Sequence, residues 1–215
     1  MGNEERIVAD LKTVSDRLKK YAAEHGRSVG LKMEEMELVE ERRKLIRQLK
    51  GFWVKAMIRD ETLTGQFSTK DIEILKHLVD IRTEEKQANQ EFTIVFVFNE
   101  NSFFSNPQIC KKVTAHRSDG FVRVEPAAIS WYENKSTFAE DHMNDGFCDS
   151  FSFFHWLESE EDLMGIALHI RGEFLSSAVD LFLSEVSGDD LFETETQTED
   201  QDEESTLLSS DDDEY

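Results

Sequence analysis

Side chains capable of chemistry are plentiful in this chain, but few stand at the spacings chemistry requires. His142, Cys148 and His155, with Asp141 nearby, form the tightest potential metal set. Zinc sites usually start from a short pair such as Cys-x2-Cys or His-x3-His, and this set contains no such pair. An activated serine is equally unsupported, because no Gly-x-Ser-x-Gly elbow occurs. Neither Gly-x-Gly-x-x-Gly nor Gly-x4-Gly-Lys-Ser/Thr is present to cradle phosphates. Carboxylate pairs such as Glu160–Glu161 would need burial before they could do acid–base work, and their polar neighbours point to solvent. Asp211 to Glu214 offers calcium weak contacts at most, without the fixed glycine and terminal glutamate of an EF-hand loop. The expectation is a non-enzymatic protein with no cofactor and no structural metal.

What the sequence does concentrate is negative charge. Across 215 residues, 46 acids face 24 Lys and Arg, for a net charge of -22. Phosphate backbones are held mainly by Lys and Arg, so direct sequence-specific nucleic-acid binding is not expected and the natural partner is polycationic. The charge is uneven. Residues 1–60 carry 11 acids and 14 bases, residues 61–184 carry 21 and 10, and residues 185–215 carry 14 acids and no base. Between Trp131 and Asp162, Glu133, Glu140, Asp141, Asp145, Asp149, Glu158, Glu160, Glu161 and Asp162 accompany a single base, Lys135. Solubility is the simple explanation of such a run. An adjoining acidic tail that includes Asp189, Asp190, Glu193 and Glu195 favours binding of basic proteins, because both segments would steer the same cationic partner. Ser187, Thr196 and Ser210, each followed by acids, suit acidophilic kinases, and phosphates there would strengthen the field.

Three segments must position these carboxylates. In residues 1–51, Ile7, Leu11, Val14, Leu18 and Tyr21 recur at spacings of 4, 3, 4 and 3, the a/d seam of a coiled coil. After Gly26 and Gly30, Leu31, Leu38, Leu45 and Phe52 resume at sevens, with Leu49 beside them. A single helix over residues 4 to 50 would be about 70 Å long, too long for a small domain to cover, so a homodimer along it is expected. A hairpin bent at Gly26–Gly30 is the alternative. Arg42, Arg43 and Lys44, with Arg47 and Lys50, read as a solvated helix face rather than a nuclear import signal.

Residues 52–184 read as an α+β domain. Short helices are expected at Phe52 to Arg59 and from Ser68, a candidate N-cap, through Ile72, Leu75, Leu78 and Val79. Phe92 to Phe98 is β-branched and aromatic, a central strand, followed by strands at Ile109 to His116, Phe121 to Val124 and Ile129 to Tyr132. The connections are too short for crossover helices, which makes a four-stranded antiparallel meander. Leu163, Ile166, Ile170, Phe174, Ala178 and Leu181 then mark a helix packed on it. Residues 185–215 hold too few apolar groups to offset the entropy of ordering, and are expected to be a disordered acidic tail. No run approaches a membrane span and no signal peptide opens the chain, so no membrane partner is expected. Two cysteines, Cys110 and Cys148, fit a reducing compartment.

Several local strings resemble the nucleosome assembly protein family of histone chaperones, most nearly its SET/template-activating-factor branch. They are Gly51-Phe-Trp-Val54, Phe92-Thr-Ile-Val-Phe-Val-Phe-Asn-Glu-Asn-Ser-Phe-Phe104, Ile129-Ser-Trp131 and Ser152-Phe-Phe-His-Trp-Leu157. The resemblance runs over residues 31 to 184. It implies a homodimer joined by long helices, and "earmuff" domains whose acidic concave face takes up core histones in nucleosome assembly. It also implies movement between nucleus and cytoplasm. The runner-up is a dimeric acidic adaptor or inhibitor that docks a nuclear regulatory enzyme such as a phosphatase. The chain departs from the family in its last helical region, where Ile170 to Phe182 lacks the usual Trp-Pro-x-Pro.

Overall fold

The aromatic run Phe92 to Phe98 is the centre of the sheet. The computed structural model describes residues 2–25, 33–87, 91–115, 122–137, 152–162 and 164–184. In chain order the elements are α1 (Asn3–His25), α2 (Met33–Ile46), α3 (Phe52–Ile58), α4 (Thr69–Leu75), β1 (Leu78–Gln87), β2 (Glu91–Phe98), β3 (Gln108–Ala115) and β4 (Val122–Val124). They are followed by α5 (Phe153–Glu158), α6 (Ile166–His169), a π turn (Ile170–Phe174) and α7 (Leu175–Leu183). The four strands lie in the order β1-β2-β3-β4, each antiparallel to the next, which is the expected α+β meander.

Register divides the side chains between two faces. Phe96 opposes Ile81 and Ile109, Ile94 opposes Lys111, and Phe92 opposes Val113, so these residues share one face with Phe98. Asp80, Arg82, Val95, Cys110 and Lys112 take the other. Phe92, Ile94, Val95 and Phe96 are all buried, because β2 has a strand on each side and is covered on both faces.

Two strand assignments are corrected. Leu78 and Val79 do not continue the α4 helix, which ends at Leu75; they open β1. The i, i+3 spacing of Ile72, Leu75 and Leu78 imitates a helix, while the strand alternation of Val79, Ile81 and Thr83 is obscured by charged neighbours. The fourth strand of the sheet is therefore β1, and Ile129 to Tyr132 contributes only an isolated bridge between Trp131 and Phe104. Ser68 caps α4 as expected: its Oγ accepts from Asp71 N–H at 3.1 Å, and the Asp71 carboxylate accepts from Ser68 N–H at 2.8 Å.

The N-terminal seam closes within one chain. Arg17 reaches Glu41 at 3.9 Å, and Tyr21 lies in the field of Glu34 and Glu35, so α1 and α2 run antiparallel. One continuous helix over residues 4 to 50 is excluded by that reversal, and the hairpin alternative holds. Ile7, Leu11, Val14, Tyr21, Leu38 and Leu49 are buried, whereas Leu18 and Leu45 are half-buried. Leu31 lies outside the described residues. Burial against a second helix of the same chain satisfies the amphipathic stripe that otherwise demands a partner molecule. Gly51, at φ 68, makes the left-handed turn from α2 into α3, a conformation that side chains with a Cβ resist.

α3 places Phe52, Trp53, Val54, Ala56 and Met57 in the core. Phe52 meets Phe182 with ring centroids 4.7 Å apart, and Trp53 meets Phe174 at 6.2 Å. Arg59 donates to the Phe182 carbonyl at 2.5 Å and so caps the C-terminus of α7. That packing occupies the region where the Trp-Pro-x-Pro segment is absent.

Candidate acidic binding surface

The acidic loop is carried by α5, and α5 is fixed at both ends by buried polar groups. At its start, Asp71 accepts from Ser152 Oγ at 2.8 Å and from Phe153 N–H at 3.0 Å. Asp71 is fully buried, so one carboxylate caps α4 and anchors α5 together. Along its length, Phe153, Phe154, Trp156 and Leu157 are buried against the sheet. Phe154 sits 5.6 Å from Trp131 and 6.1 Å from Phe104, and Phe153 sits 5.6 Å from Phe96. Full burial of each large side chain contributes roughly 1.5–3 kcal/mol, more than the roughly 0.5–1.5 kcal/mol of ring geometry, so burial decides where α5 lies.

At its end, Lys111 takes over. This lysine is 0% exposed, and its Nζ donates to the carbonyls of Trp156 at 3.0 Å, Leu157 at 3.1 Å and Ser159 at 2.5 Å. It also stands 5.4 Å from the centre of the Trp156 ring. Burial pushes its pKa down to about 8, with the Asp162 carboxylate opposing that shift. Helix C-termini attract cations, which is why a lysine can be held here with carbonyls rather than a carboxylate as its hydrogen-bond partners.

The structure separates the described acids into two groups. Glu133, Glu160 and Glu161 are exposed and face water. Glu158 and Asp162 are partly covered and bonded internally. Glu158 Oε1 accepts from Trp131 Nε1 at 3.1 Å, while Oε2 is buried without a hydrogen-bond partner. Burial raises the Glu158 pKa, and the Trp131 bond and the nearby His155 pull it back. Asp162 accepts from Trp156 Nε1 at 2.9 Å and from Ala167 N–H at 3.3 Å, closing the loop onto the start of α6. Glu161 N–H donates to Ser159 Oγ at 2.9 Å. Glu160 and Glu161 therefore project from a turn tied at Lys111 and Asp162, with Trp131 bonded to Glu158 just before it. Tyr132, Met164 and Leu168 are exposed large apolar groups, the last two shortly after the turn in sequence.

The other candidate residues fall outside the described chain: Glu140, Asp141, Asp145, Asp149, Asp189, Asp190, Glu193 and Glu195, with the possible phosphorylation sites Ser187, Thr196 and Ser210. His142 and Cys148 lie there too. Among the described residues no group of three metal-ligating side chains converges. No helix of the described residues is long and apolar enough to cross a membrane. Cys110 is a free, exposed thiol whose pKa is raised, chiefly by desolvation.

The basic run is also corrected. It is not simply a solvated face: Arg43 Nη2 contacts Asp80 Oδ2 at 2.5 Å, and Arg47 and Arg82 approach the same oxygen at 3.6 and 3.7 Å. Arg43 also pairs with Glu40 on its own helix. Asp80, with its side chain 2% exposed, thus docks the end of α2 onto β1. Lys44 and Lys50 remain exposed.

A fold of this kind, with an acidic loop on a helix laid across an antiparallel meander, has relatives. The family model for nucleosome assembly proteins matches residues 3–144, and the chain belongs to that family. Testis-specific Y-encoded-like protein 5 of Mus musculus is 30% identical over 129 residues, which cover 58% of this chain and 30% of that protein. NAP1-related protein 2 of Arabidopsis thaliana is 25% identical over 127 residues, covering 57% and 49%. The matched stretches thus span less than half the length of these relatives. Among solved structures, nucleosome assembly protein S from Plasmodium falciparum superposes with a TM-score of 0.57 over 81% of this chain and 92% of that one, at 22% identity. The Vps75 histone chaperone does so at 0.52 over 83% and 91%, at 17% identity, a likeness of fold.

Proposed function

We propose that this chain is a non-enzymatic histone chaperone that binds basic core histones and assists nucleosome assembly and disassembly. The observation that carries the reading is a family match joined to a tied loop that holds Glu160 and Glu161 out in water. The chain carries further acids at Glu133, at 140–149 and in residues 185–215. Carboxylates would screen histone Lys and Arg from improper contacts and release them where DNA phosphates are denser, a competition between polyanions. Exposed Tyr132, Met164 and Leu168 would add contacts that salt does not screen. Because the seam residues are covered within one chain, a second copy would meet the outer face of α2, where Met33 and Met36 are 79% and 52% exposed. Work on chromatin would place the protein in the nucleus, with histone collection in the cytoplasm.

Light scattering behind size exclusion, on the protein alone and with core histones at moderate salt, tests this. The expected result is a protein mass that rises by a defined histone complement and a complex that weakens with salt. Charge neutralisation at Glu133, Glu160 and Glu161, or deletion of residues 185–215, should each lower affinity without unfolding the domain. A protein that ignores histones at low salt would defeat the reading.

A further inference from the structure

We propose that Lys111 is a positioning residue for the acidic surface, its buried ammonium fixing the turn that presents Glu160 and Glu161. The inference rests on the reading of that surface as the histone site. Three observations support it.

First, the contacts are local to the loop. Lys111 Nζ bonds the carbonyls of Trp156, Leu157 and Ser159, the last turn of α5 and its first residue beyond. Second, two of those carbonyls do not depend on the lysine. Trp156 O also accepts from Ser159 N–H at 3.2 Å, and Leu157 O from Ala127 N–H at 2.8 Å. Ser159 O has no other acceptor role among the hydrogen bonds described, so the bond at risk is the one at the root of the acidic turn. Third, the lysine is a poor choice for stability alone. Its inward position between Ile109 and Val113 suits an apolar residue, and burial disfavours the ammonium, as its lowered pKa records. A buried charge that strains against its surroundings while gripping one turn selects a loop geometry more than it stabilises a core.

The groups facing Lys111 fit this account. Asp162, from the loop, supplies the favourable charge, and α5 adds half-buried His155 and Glu158 near the same end. On the adjoining strands Lys111 opposes Ile94, and Val113 opposes Val124. Glu125 is directed to Lys112 on the other face, at 2.7 Å.

The test uses the full chain and Lys111→Met, which keeps the length of the stem and removes the charge and the donors. Amide hydrogen exchange is read at Glu160–Asp162 and at Ile94–Phe96, alongside urea unfolding at pH 7 and core-histone affinity at fixed salt. The expected result is a tenfold or greater loss of protection at residues 160–162, with protection at 94–96 and the urea midpoint not lowered. Histone affinity should fall as far as it does in the Glu160→Gln/Glu161→Gln variant, and combining the changes should weaken it no further. Additive losses, or loop amides that keep their protection, would overturn the proposal. So would a uniform loss of protection with a lowered urea midpoint, which marks a lysine that holds the fold rather than the loop. Lys111→Gln, with two donors on a shorter stem, repeats the comparison should the methionine variant aggregate, and unfolding of both overturns the proposal. If the wild-type chain binds no histones, the functional reading falls by itself, while the exchange data still decide whether Lys111 orders the turn.

Discussion

Asp80 and Lys111 are both buried charges on the same sheet, one on each face, and their surroundings are opposite in kind. Asp80 is an anion approached by three guanidinium groups, from Arg43, Arg47 and Arg82, with the half-buried Arg42 also in its field. Lys111 is a cation whose direct hydrogen bonds are all to carbonyls. The first arrangement neutralises charge and locks two elements together, since α2 and β1 meet at that carboxylate. The second leaves much of the charge uncompensated, and what it fixes is the geometry of one turn. Paired burial is thus a device for docking, and carbonyl-held burial is a device for aiming.

The largest effect in the molecule should come from Asp80. Asp80→Asn keeps the shape and removes the charge on which the arginines converge. Breaking a buried pair by removing one partner costs about 3–5 kcal/mol, and the exposure of Arg47, at 49%, places the expectation near the lower end. Urea unfolding at pH 7 measures it, and an unchanged midpoint would show that the arginines are satisfied by water and by Glu40 and Glu84. The effect at Lys111 should instead appear as pH dependence. Its folded pKa of about 8 lies below the ordinary 10.5, so the unfolded chain binds more protons between those values. Stability contributed by this group therefore rises as pH goes from about 8 to 10.5. With one pKa unit worth roughly 1.4 kcal/mol, the wild type should gain about 1–3 kcal/mol over that range relative to Lys111→Met. Equal pH profiles for the two proteins would erase the contrast. A smaller effect is expected at Trp131→Phe, which keeps the ring contacts with Phe104 and Phe154 but removes the N–H that Glu158 accepts, for a loss of about 1 kcal/mol in thermal unfolding.

Much of the framework was legible in the sequence because it depends on periodicity. The central strand at Phe92 to Phe98, the cap at Ser68 and the helix through Ile170 and Phe174 are each written in local residue types. The sequence also singled out the loop that carries Glu160 and Glu161, through sheer density of acids. It did not reveal that Glu158 and Asp162 are bonded inward, because that follows from two indole N–H groups brought to them by the fold. The N-terminal seam reads as one long dimerisation helix and folds as a hairpin instead, because a stripe at Ile7, Leu11 and Val14 states that it must be covered without stating by which chain. Asp80 was hidden in a charged strand, where Arg82, Glu84 and Glu85 make an inward aspartate look like one more solvated residue. Lys111 left a faint signal. It stands at the inward position of an alternating strand, between Ile109 and Val113, where a lysine needs a reason.

Lys112 is adjacent to Lys111 in β3 but points to the other face, where its Nζ reaches Glu125 Oε2 at 2.7 Å with both side chains more than half exposed, at 55% and 65%. Its pKa is raised, first by the hydrogen bond to Glu125 and then by that carboxylate's charge, opposite in direction to its buried neighbour. Exposed pairs of this kind are screened by water and salt and add little to stability. Lys112→Met should accordingly leave the urea midpoint, the protection of residues 160–162 and the histone affinity at moderate salt unchanged within error. Matching effects from the two lysines would mean that β3 responds to any loss of positive charge. Loop order that fails only with Lys111 would assign the effect to three carbonyls at the end of α5.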